Sequence, residues 1–237
     1  MALSDALAAP TPVVAGPVLV AWLPENRRIS VRGQLDLLGA LDRDRAQGLP
    51  RARRKRFVLG RLLVRGLVDG LFPDATGWTV VPGRCARCGG RHAGVGLDGV
   101  PAVASIAYAD GLVVAAVAPQ AAVSRLGIDV EPAVCDHERI DELHRRNGAS
   151  REHVLRRWTQ VQAVLKADRR GQLVDPGAVW LRRGGGWIAG SPESYLVCEV
   201  DAPQGYLVSL AWCPAAGTPA RPPDRRLAGR AGDRWRG

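Results

Sequence analysis

Residues 125–134 read RLGIDVEPAV, an apolar run that carries two carboxylates, Asp129 and Glu131, one residue apart. Successive side chains of an extended strand point to opposite faces, so residues i and i+2 share one. Ile128 and Val130 then face a core, while Asp129 and Glu131 stand side by side on the other face. Carboxylates that close raise each other's pKa unless a cation lies between them. The acid face is therefore either solvated, as on a charged edge strand, or a seat for a hard cation such as Mg²⁺.

The rest of the chain sets the frame for that strand. Its 237 residues suffice for one large domain or two small ones. With 46% hydrophobic and 24% charged residues the composition is that of a soluble globular protein. No apolar run approaches the ~20 residues that a membrane helix needs. The segment MALSDALAAPTPVVAGPVLVAWLP carries Asp5 and no basic residue, so it reads as a Pro-rich lead-in to a strand near 18–23 rather than a secretory signal. Five cysteines, an odd number, point to a reducing cytoplasm rather than a disulfide framework. Net charge is +10, and lysine occurs only at Lys55 and Lys166, so nearly all the positive charge is arginine. Such a surplus favours an anionic partner, whereas 5% aromatic residues are too sparse for a base-stacking platform.

Periodicity predicts helices near 33–45 and 50–71. In the second, Phe57, Leu59, Leu62, Leu63, Leu67 and Leu71 form an apolar stripe, with Arg54, Arg61 and Arg65 on a polar face beside it. A short strand (WTVV), a Cys/Gly-rich loop over 83–99, and strands AVASIAYA and LVVAAVAP joined at Asp110-Gly111 come next. After an irregular polar stretch, a helix is expected over 151–168 and strands near 178–182, 194–201 and 206–212. The pattern is α+β, with halves of residues 1–119 and 120–213, and a Pro/Gly/Arg-rich tail, 214–237, expected to be disordered.

The helix REHVLRRWTQVQAVLKADRRG places Trp158, Gln162 and Lys166 at i, i+4 and i+8, drifting only ~80° over ~12 Å. The stripe combines an indole, an amide and a cation. It fits a half-buried helix whose lysine reaches for water. It also fits a site that needs a compact ammonium able to give up a proton, which guanidinium cannot.

GIDVE followed some thirty residues later by W-x-x-x-x-A-x-x-K resembles the 4′-phosphopantetheinyl transferase superfamily. It is similar to the longer, single-chain type that activates carrier proteins of peptide and polyketide synthases. The resemblance spans roughly residues 50–212. It takes in the basic helix RARRKRFVLGRLLVRGLV, the CARCGGRH loop, and ASIAYADGLVVAAVA at the place of the family's S-H-S segment.

The resemblance implies two pseudo-symmetric α/β halves, each a small antiparallel sheet packed on a long helix, with coenzyme A in the cleft between them. Asp129 and Glu131 would hold Mg²⁺, and Lys166 would supply a cation or proton to the leaving phosphate. Arg56, Arg61 and Arg65 are candidate phosphate contacts, with Ser105, Tyr108 and Trp158 as further substrate-binding residues. A serine hydroxyl of an acidic acyl or peptidyl carrier protein attacks the pantetheine-side phosphate, and 3′,5′-ADP leaves. The implied protein is a cytoplasmic monomer of secondary metabolism that binds neither nucleic acid nor membrane.

The match departs from the family at one place. The family's W-x-x-K-E glutamate, its third metal ligand and general base, is Gln162 here, preceded by Val161. Its S-H-S histidine is Tyr108, and its G-K-P or G-R-P cation is not evident in RHAGVGLDGVPAV. Glutamine offers a carbonyl oxygen but accepts no proton at neutral pH. General-base catalysis is worth ~10²–10⁴-fold. Two expectations follow: a slower transferase using Glu131 or a metal-bound water as base, or a relative whose pocket serves another task.

In CARCGGRH, Cys85, Cys88 and His92 have metal-like spacing but make three ligands where structural zinc takes four. A reduced thiol loop is expected ahead of zinc. A nucleic-acid module built on this knuckle lacks a second C-x-x-C and interleaved aromatics.

Overall fold

Strand β1 (Val13–Ala15) turns tightly into β2 (Val18–Pro24) in a computed structural model that describes residues 12–25, 31–84, 88–134, 138, 141–142, 153–170 and 173–218. Helices α1 (Val31–Leu35), α2 (Ala40–Gln47) and α3 (Arg51–Leu71) follow. Next come β3 (Thr79–Arg84), β4 (Arg91–Asp98), β5 (Ala102–Ala109), β6 (Leu112–Pro119) and β7 (Val123–Pro132). Helix α4 (Val154–Asp168) precedes β8 (Val179–Arg182), β9 (Gly185–Ile188), β10 (Ser194–Val200) and β11 (Tyr206–Pro214). Among the described residues the sheets are β1-β2-β6-β5, β7-β11-β10-β9-β8 and β3-β4, all antiparallel. The α+β class expected from the sequence is the one observed.

The layers run helix, sheet, sheet, helix. Helix α3 lays Leu59, Leu62 and Val64 on Ala21, Leu23, Val113 and Ala115 of the first sheet. The opposite face of that sheet, with Val20, Val114 and Ala116, meets Ile128, Val130, Leu210 and Trp212 of the second. Helix α4 closes the far side through Val161, Val164 and Leu165. Full burial of each such side chain is worth ~1.5–3 kcal/mol, so these three interfaces carry the fold. Strand β6 lies between two cores and is therefore apolar at successive positions rather than alternating.

Strand β7 behaves as its pattern demands. Ile128 and Val130 enter the core between the sheets, and Asp129 and Glu131 face α4. Helix and strand approach so closely that a Cβ at Gly127 would lie 2.1 Å from the Ala163 carbonyl oxygen and 2.4 Å from the Ala167 nitrogen. The glycine of GIDVE and two helical alanines make that contact.

Two expectations need correction, and one strand was not foreseen. The helix expected over 33–45 is two helices broken at residues 36–39. A Cβ at Gly39 would stand 2.7 Å from Thr79 Oγ1, so a glycine passes there. The loop expected over 83–99 is largely strand β4, whose Val95 and Leu97 pair with Pro82 and Val80. Glycines at 94 and 96 hide the alternation, and Gly96 is kept small by Val81. Strand β9 was concealed in the same way by the Gly184-Gly185-Gly186 run. The lead-in before residue 12, most of the polar stretch after β7 and the tail from 219 onward lie outside the described residues. No helix among the described residues is long and apolar enough to cross a membrane.

Candidate active site

The close packing at Gly127 brings the two motifs together. Lys166 Nζ donates to Asp129 Oδ1 at 2.6 Å, and Trp158 Nε1 donates to Glu131 Oε1 at 3.1 Å. Helix α4 runs antiparallel to β7, so the earlier acid meets the later helical residue and the later acid the earlier one. Half-buried Gln162 lies between them in sequence, one turn from each donor. The acid face is thus neither solvated nor purely repulsive. Asp129 is only 8% exposed. Burial pushes its carboxyl above the ordinary range, and the Lys166 ammonium offsets part of that rise.

Beside this pair, a cleft of about 370 Å³ opens where the first sheet, the β3–β4 hairpin and α4 converge. Phe57 and Arg61 of α3, Ser105, Ile106 and Tyr108 of β5, and Leu165 and Lys166 of α4 line it. Its cations are Arg45, Arg61, Arg84, Lys166 and Arg169. Arg61 and Lys166 are paired with Asp42 and Asp129, and Arg45, Arg84 and Arg169 add positive charge that suits an anionic ligand. Arg61 is bound by Asp42 at 2.5 Å, donates to the Gly94 carbonyl at 3.2 Å and lies over the Phe57 ring. Tyr108 is 37% exposed and lines the cleft. Burial, partly offset by Arg61, raises its phenol pKa, so it stays protonated near neutral pH. A Cβ at Gly60 would come 2.8 Å from the Tyr108 hydroxyl, so this mid-helix glycine lets the tyrosine lie across α3.

The candidate residues separate into two groups. Arg61, Ser105, Tyr108 and Lys166 line the cleft, and Asp129, Glu131, Trp158 and Gln162 belong to the adjoining β7–α4 seam. Ser105 also joins the sheets, since its Oγ accepts the Ile128 amide at 3.1 Å. Arg56 and Arg65 are used elsewhere. Arg56 pairs with Glu25 at 2.9 Å, whereas Arg65 donates to the Leu37 carbonyl and lies over Trp78. The expected shared polar face of Arg54, Arg61 and Arg65 instead fastens the preceding segment to α3. Arg54 donates to the carbonyls of Ala46, Gln47 and Leu49. Sequence reasoning missed Arg45, Arg84 and Arg169. Only Arg169 carried a usable signal, lying three residues beyond Lys166 on the same helical stripe. Cys85 and the side chain of His92 lie outside the described residues, and Cys88 is exposed.

The donors of the seam fit a hard cation in kind. Asp129 and Glu131 offer carboxylate oxygens on one strand face, and Gln162 carries an amide oxygen on the helix that faces it. No group of three His, Cys, Asp or Glu suited to a metal occurs among the described residues, so further ligands would come from a bound phosphate and water. No protein-family model matches the chain, and no curated protein matches it.

Proposed function

We propose that this protein binds coenzyme A in the cationic cleft and transfers its phosphopantetheine to a serine of an acidic acyl or peptidyl carrier protein. The observation that carries this reading is the union of a five-cation cleft with the Lys166–Asp129 pair at its border. The chain then divides near residue 120 into two pseudo-symmetric halves, each a sheet backed by a long helix. Phosphoryl transfer needs charge neutralisation and alignment more than covalent help.

In this reading the serine oxygen forms a bond to the pantetheine-side phosphorus. The P–O bond to the departing 3′,5′-ADP phosphate breaks and its electron pair leaves with that oxygen. Lys166, with Arg84 on the facing wall, balances charge on the leaving phosphate, and Tyr108 donates a hydrogen bond to a ligand oxygen. Asp129 and Glu131 would hold Mg²⁺, which when bound supplies further positive charge at the diphosphate. The serine proton passes to Glu131, because Gln162 cannot take it.

Incubating carrier proteins with this protein, coenzyme A and Mg²⁺ should add the mass of phosphopantetheine to the carrier. Coenzyme A binding with no mass gain on any carrier tested would favour the second reading, a binding relative given to another task. The neutral amide at Gln162, where the resembled family has a carboxylate, favours that second reading.

A further inference from the structure

We propose that Arg169 is an oxyanion-binding residue on the wall between the cleft and a second cavity, where it takes a phosphate or carboxylate group. The proposal deepens the reading above but rests on it only for the source of the oxyanion. Arg169 follows the last residue of α4 with φ 65° and ψ −3°, the left-handed region. That conformation disfavours any residue with a Cβ, and helices that end this way usually place glycine there. Every other positive-φ position among the described residues is a glycine. This position alone keeps a long charged side chain.

The side chain has no partner in the chain itself among the described residues. The second cavity, about 570 Å³, is lined by Ser124, Arg125, Arg169, Arg170, Ser191 and Glu193, with Asp168 beside them. Its acids are already taken. Arg170 donates to Asp168 Oδ2 at 2.6 Å and to Oδ1 at 3.1 Å, and Tyr195 donates to Oδ1 at 3.0 Å. Arg125 donates to Glu193 Oε1 at 2.7 Å, and Ser191 donates to its Oε2 at 2.5 Å. Arg169 is the cation left over. Its side chain is exposed, so the guanidinium is reachable from both cavities. An unpaired, exposed guanidinium held on a left-handed backbone at the border of two cavities is placed to take an anion from outside the chain.

The test uses the full chain and inorganic phosphate as probe, with NaCl at matched ionic strength as control. Phosphate should raise the Tm of the native protein beyond the salt control. Arg169→Gly should relieve the backbone and raise the ligand-free Tm by about 2–4 °C. The same substitution should weaken phosphate binding roughly tenfold, the loss of one charge-assisted hydrogen bond. A gain in stability joined to a loss of binding is not what a merely structural arginine produces. Phosphate binding untouched by the substitution, or a ligand-free Tm that falls, overturns the proposal.

Coenzyme A then distinguishes the sources. If it abolishes the phosphate effect, the oxyanion belongs to the cleft ligand; if the two effects add, the subsite takes a separate oxyanion. Arg169-dependent phosphate binding without any coenzyme A binding keeps this subsite and sinks the transferase reading. Coenzyme A binding with a phosphate effect indifferent to Arg169 does the reverse.

Discussion

Two regions of the molecule, the α2–α3 contact and the β7–α4 seam, each bury an aspartate against a cation, and the two pairs are built differently. In the first, Arg61 and Asp42 are 3% and 0% exposed, and the guanidinium also has a carbonyl and an aromatic face. In the second, the side chain of Lys166 remains 35% exposed and that of Asp129 11%, with one hydrogen bond joining them. A saturated pair has nothing left to offer a ligand and acts as a strut between α2 and α3. An unsaturated one, with an ammonium facing a cleft and a carboxyl pushed up by burial, retains capacity for an incoming phosphate or metal. Burial of an ion pair does not by itself mark function, whereas incomplete satisfaction beside a cavity does.

The largest expected effect breaks the strut. Arg61→Met leaves Asp42 charged and buried without a partner, which costs about 3–5 kcal/mol. Lys166→Met also removes the cation from a buried carboxyl, but Asp129 can take up a proton there, so the cost should be smaller, about 1–3 kcal/mol. The lysine variant should instead weaken coenzyme A binding by about tenfold, the scale of one charge-assisted contact. Urea denaturation with calorimetric titration compares them, and equal stability losses would erase the distinction.

Next in size is Gly127→Ala. A Cβ there collides with helical backbone rather than with a side chain that can swing aside, so α4 must shift. About 1–3 kcal/mol should be lost by urea denaturation, together with coenzyme A affinity as Lys166 moves from Asp129. A neutral result would mean that the approach of helix to strand does not set the site.

A third aspartate extends the contrast. Burial acts to raise Asp168, yet bonds from Arg170 and Tyr195 and the Arg125 charge outweigh it and hold the carboxyl below its ordinary 3.8. A depressed pKa contributes stability that is present above 3.8 and lost as pH falls through the folded value. Asp168→Asn should therefore cost roughly 1–2 kcal/mol at pH 7 and progressively less below pH 3.8. A cost that stays constant between pH 7 and pH 3 would show that the network acts by shape rather than charge.

The smallest effect on stability is expected from half-buried Gln162→Glu, but it sharpens the functional comparison most. In a slow transferase the new carboxylate should raise the rate, by ~10-fold or more, and tighten Mg²⁺ binding. In a pocket given to another task it adds an unwanted anion. Carrier-modification rates and Mg²⁺ titration separate these cases.

Much of the fold was legible because burial imposes periodicity. The stripe on α3, the doubly buried β6 and the alternation in β7 are direct consequences of which faces meet a core. Legibility failed where glycine replaced a patterned side chain, as in β4 and β9, since glycine's absence of a Cβ is useful only in relation to a neighbour. The acid pair and the Trp158–Gln162–Lys166 stripe were visible separately, each compatible with an ordinary solvated or half-buried surface.

The sequence by itself determined that Asp129 and Glu131 share a face, that Ile128 and Val130 oppose it, and that Trp158, Gln162 and Lys166 form one stripe. These follow from local repeats of two and 3.6 residues. Only the tertiary structure decided that the stripe lies on the acids, that Arg61 is sealed by Asp42, and that Arg56 and Arg65 turn elsewhere. Whether an arginine finds a carboxylate, a carbonyl, a ring or an open cavity depends on elements tens of residues away. Charge carries no periodic signature of its partner; packing around Gly127 and Gly60, where no side chain stands in the way, brings those partners into reach.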